Sequence, residues 1–135
     1  MSNDRKFSAE RCASTKVLVV NGDHHLLKLL RHFLTIMGFR NIYQAANGPA
    51  GVDIINAKSP DVVILDWEMG SDSQNLIQAL RSPDQCSKPD VPIIMLIGLG
   101  SRGRALEDVK AGVTKFLVKP VSLQSLRQSV AAVMH

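Results

Sequence analysis

Aromatic residues, cysteines and long apolar runs are all scarce in this sequence of 135 residues. Only 4% of the residues are aromatic, and they are not interleaved with the basic residues as nucleic-acid binding would favour, although the net charge is +4. The two cysteines, Cys12 and Cys86, form neither a CxxC motif nor a metal-binding cluster. No apolar run approaches the roughly 20 residues of a membrane span. These absences predict a cytoplasmic protein with no nucleic-acid partner and no membrane partner.

The motifs that bind common enzyme cofactors are missing as well. The turn Asn21-Gly22-Asp23 lacks the GxGxxG pattern of dinucleotide binders. The glycine-rich stretch at residues 98–103 lacks GxxxxGK[ST] and does not follow the first predicted strand. His24 and His25 are adjacent, so they cannot share a metal as an i, i+4 pair can, and we interpret them as surface or capping residues. A small enzyme is therefore the least favoured function class.

Short apolar runs, several of them rich in β-branched residues, supply the predicted strands. A run without polar alternation is typical of a strand buried on both faces, as in a parallel sheet covered by helices. The second run is weaker and is expected at a sheet edge. The predicted strands are Lys16–Val20, Asn41–Ala46, Val62–Leu65, Pro92–Ile97 and Thr114–Val118.

Each predicted strand is followed by apolar residues at helical spacing. The predicted helices cover His24–Met37, the stretch from Pro49 through Ala57, a segment carrying Leu76, Ile77 and Leu80, about Arg104–Ala111 with Leu106 and Val109 inside, and a last helix capped by Ser122. Five β-α units with short connections predict an α/β fold, a doubly wound parallel sheet with right-handed crossovers.

We expect one domain over residues 16–135. Residues 1–15 are polar and aperiodic, which predicts a flexible N-terminal arm.

Two charged residues follow predicted strands at the same edge of this sheet. Asp66 comes directly after the third strand, and Lys119 directly after the fifth. Open α/β sheets bind their ligands at the carboxyl ends of the strands, so the two residues can form an ion pair or a site that handles an anion. The alternative is that Asp66 only ends its strand or caps a turn.

Three segments together carry a resemblance to a known family. Val17–Val20 with its polar turn, Val63–Met69 with Asp66 inside it, and Phe116–Pro120 with Lys119 inside it resemble the receiver domain of two-component response regulators, most closely the stand-alone chemotaxis type. The resemblance covers about residues 16–135. It implies a flavodoxin-like (βα)5 fold with strand order 2-1-3-4-5.

The resemblance also implies roles for particular residues. Asp66 would accept a phosphoryl group from a sensor histidine kinase or a phosphotransfer protein, and Lys119 would pair with a phosphoryl oxygen as a point charge. In the family, Mg²⁺ is held by an acidic pair after strand one, by the acceptor and by the backbone carbonyl two residues later, which belongs here to Glu68. A downstream protein would bind the face formed by the fourth helix of the β-α repeat, the fifth strand and the fifth helix.

This sequence departs from the family at the metal positions. The acidic pair falls on Asn21, which keeps an oxygen without a charge, and on Gly22, which has no side chain. Mg²⁺ prefers hard anionic oxygens in octahedral geometry, so this substitution should weaken the site severely. Asp23 lies one residue beyond the positions of the acidic pair and is expected to cap a helix. The alternative is that the side chain of Asp23 or Glu68 reaches inward and partly replaces the missing carboxylates. With fewer negative neighbours, Asp66 should pair directly with Lys119.

The sequence also departs from the family at two switch positions, Ile97 and Phe116. Ile97 stands where the family usually has a Ser or Thr that donates to the phosphoryl oxygen, and an isoleucine side chain cannot donate. Phe116 stands at the position of the switching Tyr or other aromatic residue and has no hydroxyl.

Two functions therefore stay open from the sequence. The first is a single-domain receiver in a phosphorelay, with Asp66 as acceptor and no DNA-binding output domain. The second is a pseudo-receiver, a protein-interaction module that works independently of phosphorylation. Asp66 and Lys119 favour the first, whereas Asn21, Gly22 and Ile97 favour the second.

Overall fold

A five-stranded parallel sheet forms the centre of the protein. The computed structural model describes residues 9–86, 88–101 and 112–134. The strands are β1 (Lys16–Val20), β2 (Asn41–Ala45), β3 (Val62–Asp66), β4 (Ile93–Ile97) and β5 (Lys115–Val118). Their order is β2-β1-β3-β4-β5, with every neighbouring pair parallel. The predicted doubly wound sheet, its 2-1-3-4-5 order and the edge position of β2 are confirmed.

Helices connect the strands and cover both faces of the sheet. The helices are α1 (Ala9–Ser14), α2 (His24–Met37), α3 (Gly48–Lys58), α4 (Ser71–Arg81) and α5 (Leu123–Val133), and 3-10 turns follow β3 at Trp67–Met69 and β4 at Leu99–Ser101. The helix predicted over about Arg104–Ala111 lies outside the described residues. Within the part of the chain that is described, no helix is long and apolar enough to cross a bilayer.

The ends of the helices match signals in the sequence. Asp23 accepts hydrogen bonds from the backbone N–H groups of His25 and Leu26 and so caps α2, as expected. Gly38 ends the same helix at φ 108°, a left-handed conformation that glycine adopts without steric cost. Ser122 and Ser125 form a reciprocal capping box at the start of α5.

The strands separate two apolar cores because successive side chains point to opposite faces of a sheet. Val17 and Val19 pack with α1, α2 and α5 on one face. Leu18 and Val20 pack with α3 and α4 on the other. The central strands β3 and β4 are buried along their whole length, which explains why β4 is an unbroken apolar run and β3 is apolar up to Asp66.

The expectation of a flexible arm is wrong for the segment that begins at Ala9. Residues Ala9–Ser14 form helix α1, and the Cys12 side chain is fully buried in the core that contains α2 and α5. The Asn41 side chain also donates a hydrogen bond to the Ala13 carbonyl. Burial of the thiol raises the pKa of Cys12. Helix α1 is therefore part of the packed domain.

An ion pair joins three segments at the amino ends of the strands, opposite the predicted site. Asp61 accepts a hydrogen bond from the Lys16 backbone N–H at 2.9 Å and one from the Lys88 ammonium at 2.7 Å. Partial burial opposes the charged form of Asp61, but these hydrogen bonds and the Lys88 charge outweigh it, so the pKa is lowered from 3.8. The carboxylate therefore stabilises the fold in its ionised form.

Replacing Asp61 with asparagine should cost little at neutral pH and nothing in acid. Both side chains of the ion pair are about 40% exposed, so solvent screening limits the expected loss to about 0.5–1 kcal/mol at pH 7. Because the folded-state pKa is lowered, this contribution is present above the ordinary pKa and disappears as the pH falls through the folded-state value. Urea unfolding of both proteins at pH 7 and in acid measures the difference. Asp53→Asn, on the exposed surface of α3, is the control, and a loss that persisted unchanged in acid would contradict the assignment.

Candidate functional site

The carboxyl ends of β1, β3 and β5 bring Asn21, Asp66 and Lys119 together. Asn21 follows β1, Asp66 is the last residue of β3, and Lys119 follows β5. Lys119 is held in place by its backbone N–H, which donates to the Ile97 carbonyl at the end of β4. The three side chains line a cleft of about 510 Å³ at this edge of the sheet. The sequence prediction that Asp66 and Lys119 meet at one edge is confirmed.

Asp66 is almost completely buried, and both of its carboxylate oxygens accept hydrogen bonds. Oδ2 accepts from the Asn21 Nδ2 at 2.9 Å and lies 2.8 Å from the Lys119 Nζ. Oδ1 accepts from the Glu68 backbone N–H at 2.8 Å. The Asp66 side chain is 3% exposed and that of Lys119 is 26% exposed. The direct ion pair between β3 and β5 is therefore present, and the buried charge has the donors that such a charge requires.

Two acidic residues near Asp66 have their own partners away from it. The Asp23 carboxylate lines the cleft and caps α2 through Oδ1. The Asp72 carboxylate accepts a hydrogen bond from the Gly48 backbone N–H at the start of α3. The alternative that Asp23 reaches inward as a compensating ligand stays a prediction.

Glu68 is the fourth acidic residue of the cleft, and its side chain extends over Gly98. Its Oε1 is 2.8 Å from the point where a Cβ on Gly98 would stand, so the carboxylate occupies space that any larger residue at this position would need. The contact that Glu68 makes with Asp66 runs through its backbone N–H.

The residues of the cleft do not fit a divalent cation. Among the residues that the structure describes, no group of three His, Cys, Asp or Glu side chains is arranged to hold a metal ion. Asp66 Oδ2 faces an amide N–H and an ammonium group, which repel a cation from that side. Mg²⁺ needs several hard oxygen ligands in octahedral geometry, and Asn21 and Gly22 supply no carboxylate. The site is therefore built around internal hydrogen bonds.

The two predicted switch positions face the core that contains α3 and α4. Ile97 is fully buried there, and Phe116 is half-buried against the same cluster. Ile97 therefore contributes apolar packing at the end of β4 and no donor.

One residue of the site was missed from the sequence. Ser73, in the first turn of α4, is fully buried and donates from Oγ to the Asp66 backbone carbonyl at 2.6 Å. This bond fixes α4 to the end of β3. A serine near a helix start has many possible partners, so no sequence signal pointed to this one.

A parallel sheet of order 2-1-3-4-5 with an aspartate and a lysine paired at its carboxyl edge defines a receiver-type α/β domain. The chain belongs to the response regulator receiver family, since the model for "Response regulator receiver domain" matches residues 17–131. The resemblance found in the sequence is confirmed. CheY-like receivers are signalling modules of two-component systems, not enzymes.

The relatives include chemotaxis proteins from several bacteria. The chemotaxis protein CheY of Pseudomonas aeruginosa is 24% identical over 121 residues, covering 89% of this chain and 96% of the relative. A CheY homolog of Campylobacter jejuni is 29% identical over 122 residues, covering 88% and 92%. The solved structure of the chemotaxis response regulator CheY4 of Vibrio cholerae superposes with a TM-score of 0.76 at 27% identity, covering 88% of this chain and 98% of that one.

Proposed function

We propose that this receiver works in two-component signalling as a protein-interaction module whose pocket does not depend on Mg²⁺-assisted phosphorylation. The observation that carries this proposal is the set of contacts that Asp66 makes without a metal. Oδ2 accepts a hydrogen bond from the Asn21 amide and pairs with the Lys119 ammonium, and Oδ1 accepts a hydrogen bond from the Glu68 backbone N–H. Signalling would then depend on which proteins bind the domain.

The physical argument concerns the charge that builds up during phosphoryl transfer. A carboxylate that attacks a phosphoryl group must approach another anion, and cations have to absorb the combined charge. Lys119 supplies one positive charge, but the two positions directly after β1, Asn21 and Gly22, supply no carboxylate for a second cation. Ile97 also gives no hydroxyl to the transferred group.

A second candidate function keeps Asp66 as a phosphoryl acceptor. It is favoured by the 2.8 Å approach of Lys119 to Asp66, which places an ammonium where a phosphoryl oxygen could be paired. An oxygen of Asp66 would attack the phosphorus atom, and the bond from phosphorus to the imidazole nitrogen of a histidine kinase or phosphotransfer protein would break. The imidazole would keep the electron pair of that bond.

The surface expected to bind a downstream protein is described only in part. The fourth helix of the β-α repeat, predicted over about Arg104–Ala111, lies outside the described residues. Lys115 of β5 and Gln124, Arg127 and Gln128 of α5 have exposed side chains. Arg127 already has an electrostatic or hydrogen-bonding partner, so it cannot be taken as a free cation. We propose that this face contributes to partner binding in either mode.

Intact-mass measurement after incubation with acetyl phosphate separates the two candidates. We expect no phosphoryl adduct on this protein, with or without millimolar Mg²⁺, while a CheY relative treated in parallel gains one. The mass of Asp66→Asn should be the same before and after treatment. A mass gain of one phosphoryl group that is lost in Asp66→Asn would overturn the interaction-module proposal and establish the acceptor.

A further inference from the structure

Asn21 is a neutral residue that is buried directly against the Asp66 carboxylate. It is 2% exposed and lies at the carboxyl end of β1. Its Oδ1 accepts from the Asp23 backbone N–H at 2.8 Å, and its Nδ2 donates to Asp66 Oδ2 at 2.9 Å. The side chain thus links the start of α2 to the end of β3.

The orientation of this amide follows from its two partners. Amide oxygen and nitrogen are assigned from hydrogen bonding, and a backbone N–H can only donate. The atom of Asn21 that faces the Asp23 N–H must therefore be the oxygen. The NH₂ group then points to Asp66, whose ionised carboxylate only accepts. Each end of the amide has a partner of the opposite hydrogen-bonding type.

The charge of Asp66 itself is balanced without a metal. The carboxylate of Asp66 is paired with one ammonium, that of Lys119, and the Asn21 N–H adds a partial positive charge at the same oxygen. An aspartate at position 21 would instead put a second carboxylate beside Asp66. Two carboxylates that share a site repel each other unless a cation or a proton lies between them.

We propose that Asn21 takes the place of a divalent cation in this receiver, because its amide N–H holds the Asp66 carboxylate from the side where the residues present do not fit a metal. Asn21 acts as a positioning residue that holds the Asp66 carboxylate through hydrogen bonding. This inference deepens the proposed function, because both rest on a metal-independent pocket. Restoring two carboxylates should convert the cleft into a Mg²⁺ site.

The backbone leaves room for this conversion. A Cβ on Gly22 would meet only the Ala46 carbonyl oxygen, at 3.7 Å, which is ordinary van der Waals contact. Aspartate and asparagine have nearly the same shape, so Asn21→Asp changes charge rather than volume. The double variant Asn21→Asp/Gly22→Asp therefore tests whether added negative charge and added oxygen ligands allow the cleft to bind Mg²⁺.

Titration of the parent and the double variant with MgCl₂ tests the proposal. Trp67 adjoins Asp66 and is the only tryptophan, so its fluorescence reports on the cleft. We expect a saturable fluorescence change in the double variant, and a rise in Tm of about 5 °C once Mg²⁺ is tenfold above its Kd. The parent should show neither. Asn47→Asp, an exposed asparagine that caps α3, adds a carboxylate outside the cleft and should behave as the parent does.

Two results would overturn the proposal. One is a saturable response of the parent to Mg²⁺, and the other is a folded double variant, judged by circular dichroism, that does not respond. If the double variant fails to fold, the single variant Asn21→Asp provides the test. It should be less stable than the parent without Mg²⁺ and should regain part of that stability when Mg²⁺ is added. Absence of this recovery would contradict the proposal. A parent that accepts a phosphoryl group yet ignores Mg²⁺ would refute only the proposed function.

Discussion

Replacing Lys119 with alanine is expected to lower the free energy of unfolding by about 3 kcal/mol, because it leaves the Asp66 carboxylate buried without its counter-charge. Asp66 is 3% exposed and would retain only the Asn21 amide and the Glu68 backbone N–H as donors. The estimate lies at the lower end of the range for broken buried pairs, since Lys119 is itself 26% exposed and water can enter the space that it leaves. Urea unfolding followed by circular dichroism measures the loss.

A matched lysine and a double-mutant cycle isolate the ion pair. Lys115, at the start of β5, is exposed, and Lys115→Ala should change stability by less than about 0.5 kcal/mol. In an Asp66→Asn background the buried charge is gone, so Lys119→Ala should cost clearly less than it does in the parent. Equal losses in the two backgrounds would show that Lys119 stabilises the protein through packing and not through Asp66.

The parts of this site that could be predicted from the sequence depend on strand direction alone. Apolar runs locate β1, β3, β4 and β5, and their parallel arrangement brings the residues at their carboxyl ends to one edge of the sheet. Asp66 and Lys119 meet for that reason, and their pairing follows once the neighbouring positions are known to be neutral. The capping role of Asp23 was predictable for a similar reason, since it depends on only three residues of local chain.

The contacts that could not be predicted join segments whose spacing is set by packing. The bond from Ser73 to the Asp66 carbonyl requires α4 to start at one particular angle to β3. The placement of the Glu68 carboxylate over Gly98 depends on the separation of β3 and β4 and on a side-chain rotamer. Neither distance is encoded in a periodic pattern. Sequence reasoning therefore identified the central pair and missed the groups that fix its surroundings.

Helix α1 was missed because it is too short to show a period. Six residues make fewer than two turns, and an isolated helix of that length is unstable in water. Its stability must come from the domain, through the burial of Cys12 and the hydrogen bond from Asn41 to Ala13. The family match begins only at residue 17, so the likeness to other receivers gave no indication of this helix either.

Deleting residues 1–14 should therefore lower the free energy of unfolding by about 2–4 kcal/mol relative to a chain that lacks only residues 1–8. The deletion removes the Cys12 side chain from its core, which exposes apolar surface of α2 and α5, and it leaves the Asn41 amide without the Ala13 carbonyl. Comparing the two truncated chains assigns the difference to helix α1. Urea unfolding gives the free energies, and the slope of the transition shows whether the native state has loosened.

A point substitution separates the packing of Cys12 from the mere presence of the helix. Cys12→Ser places a hydroxyl in an apolar core and should cost about 1–3 kcal/mol, while Cys12→Ala, which removes only the sulfur atom, should cost less. The buried thiol, whose pKa is raised, should react with iodoacetamide only after unfolding. If Cys12→Ser and the deletion of residues 1–14 both left stability unchanged, and the thiol reacted in the native protein, α1 would have no part in the core.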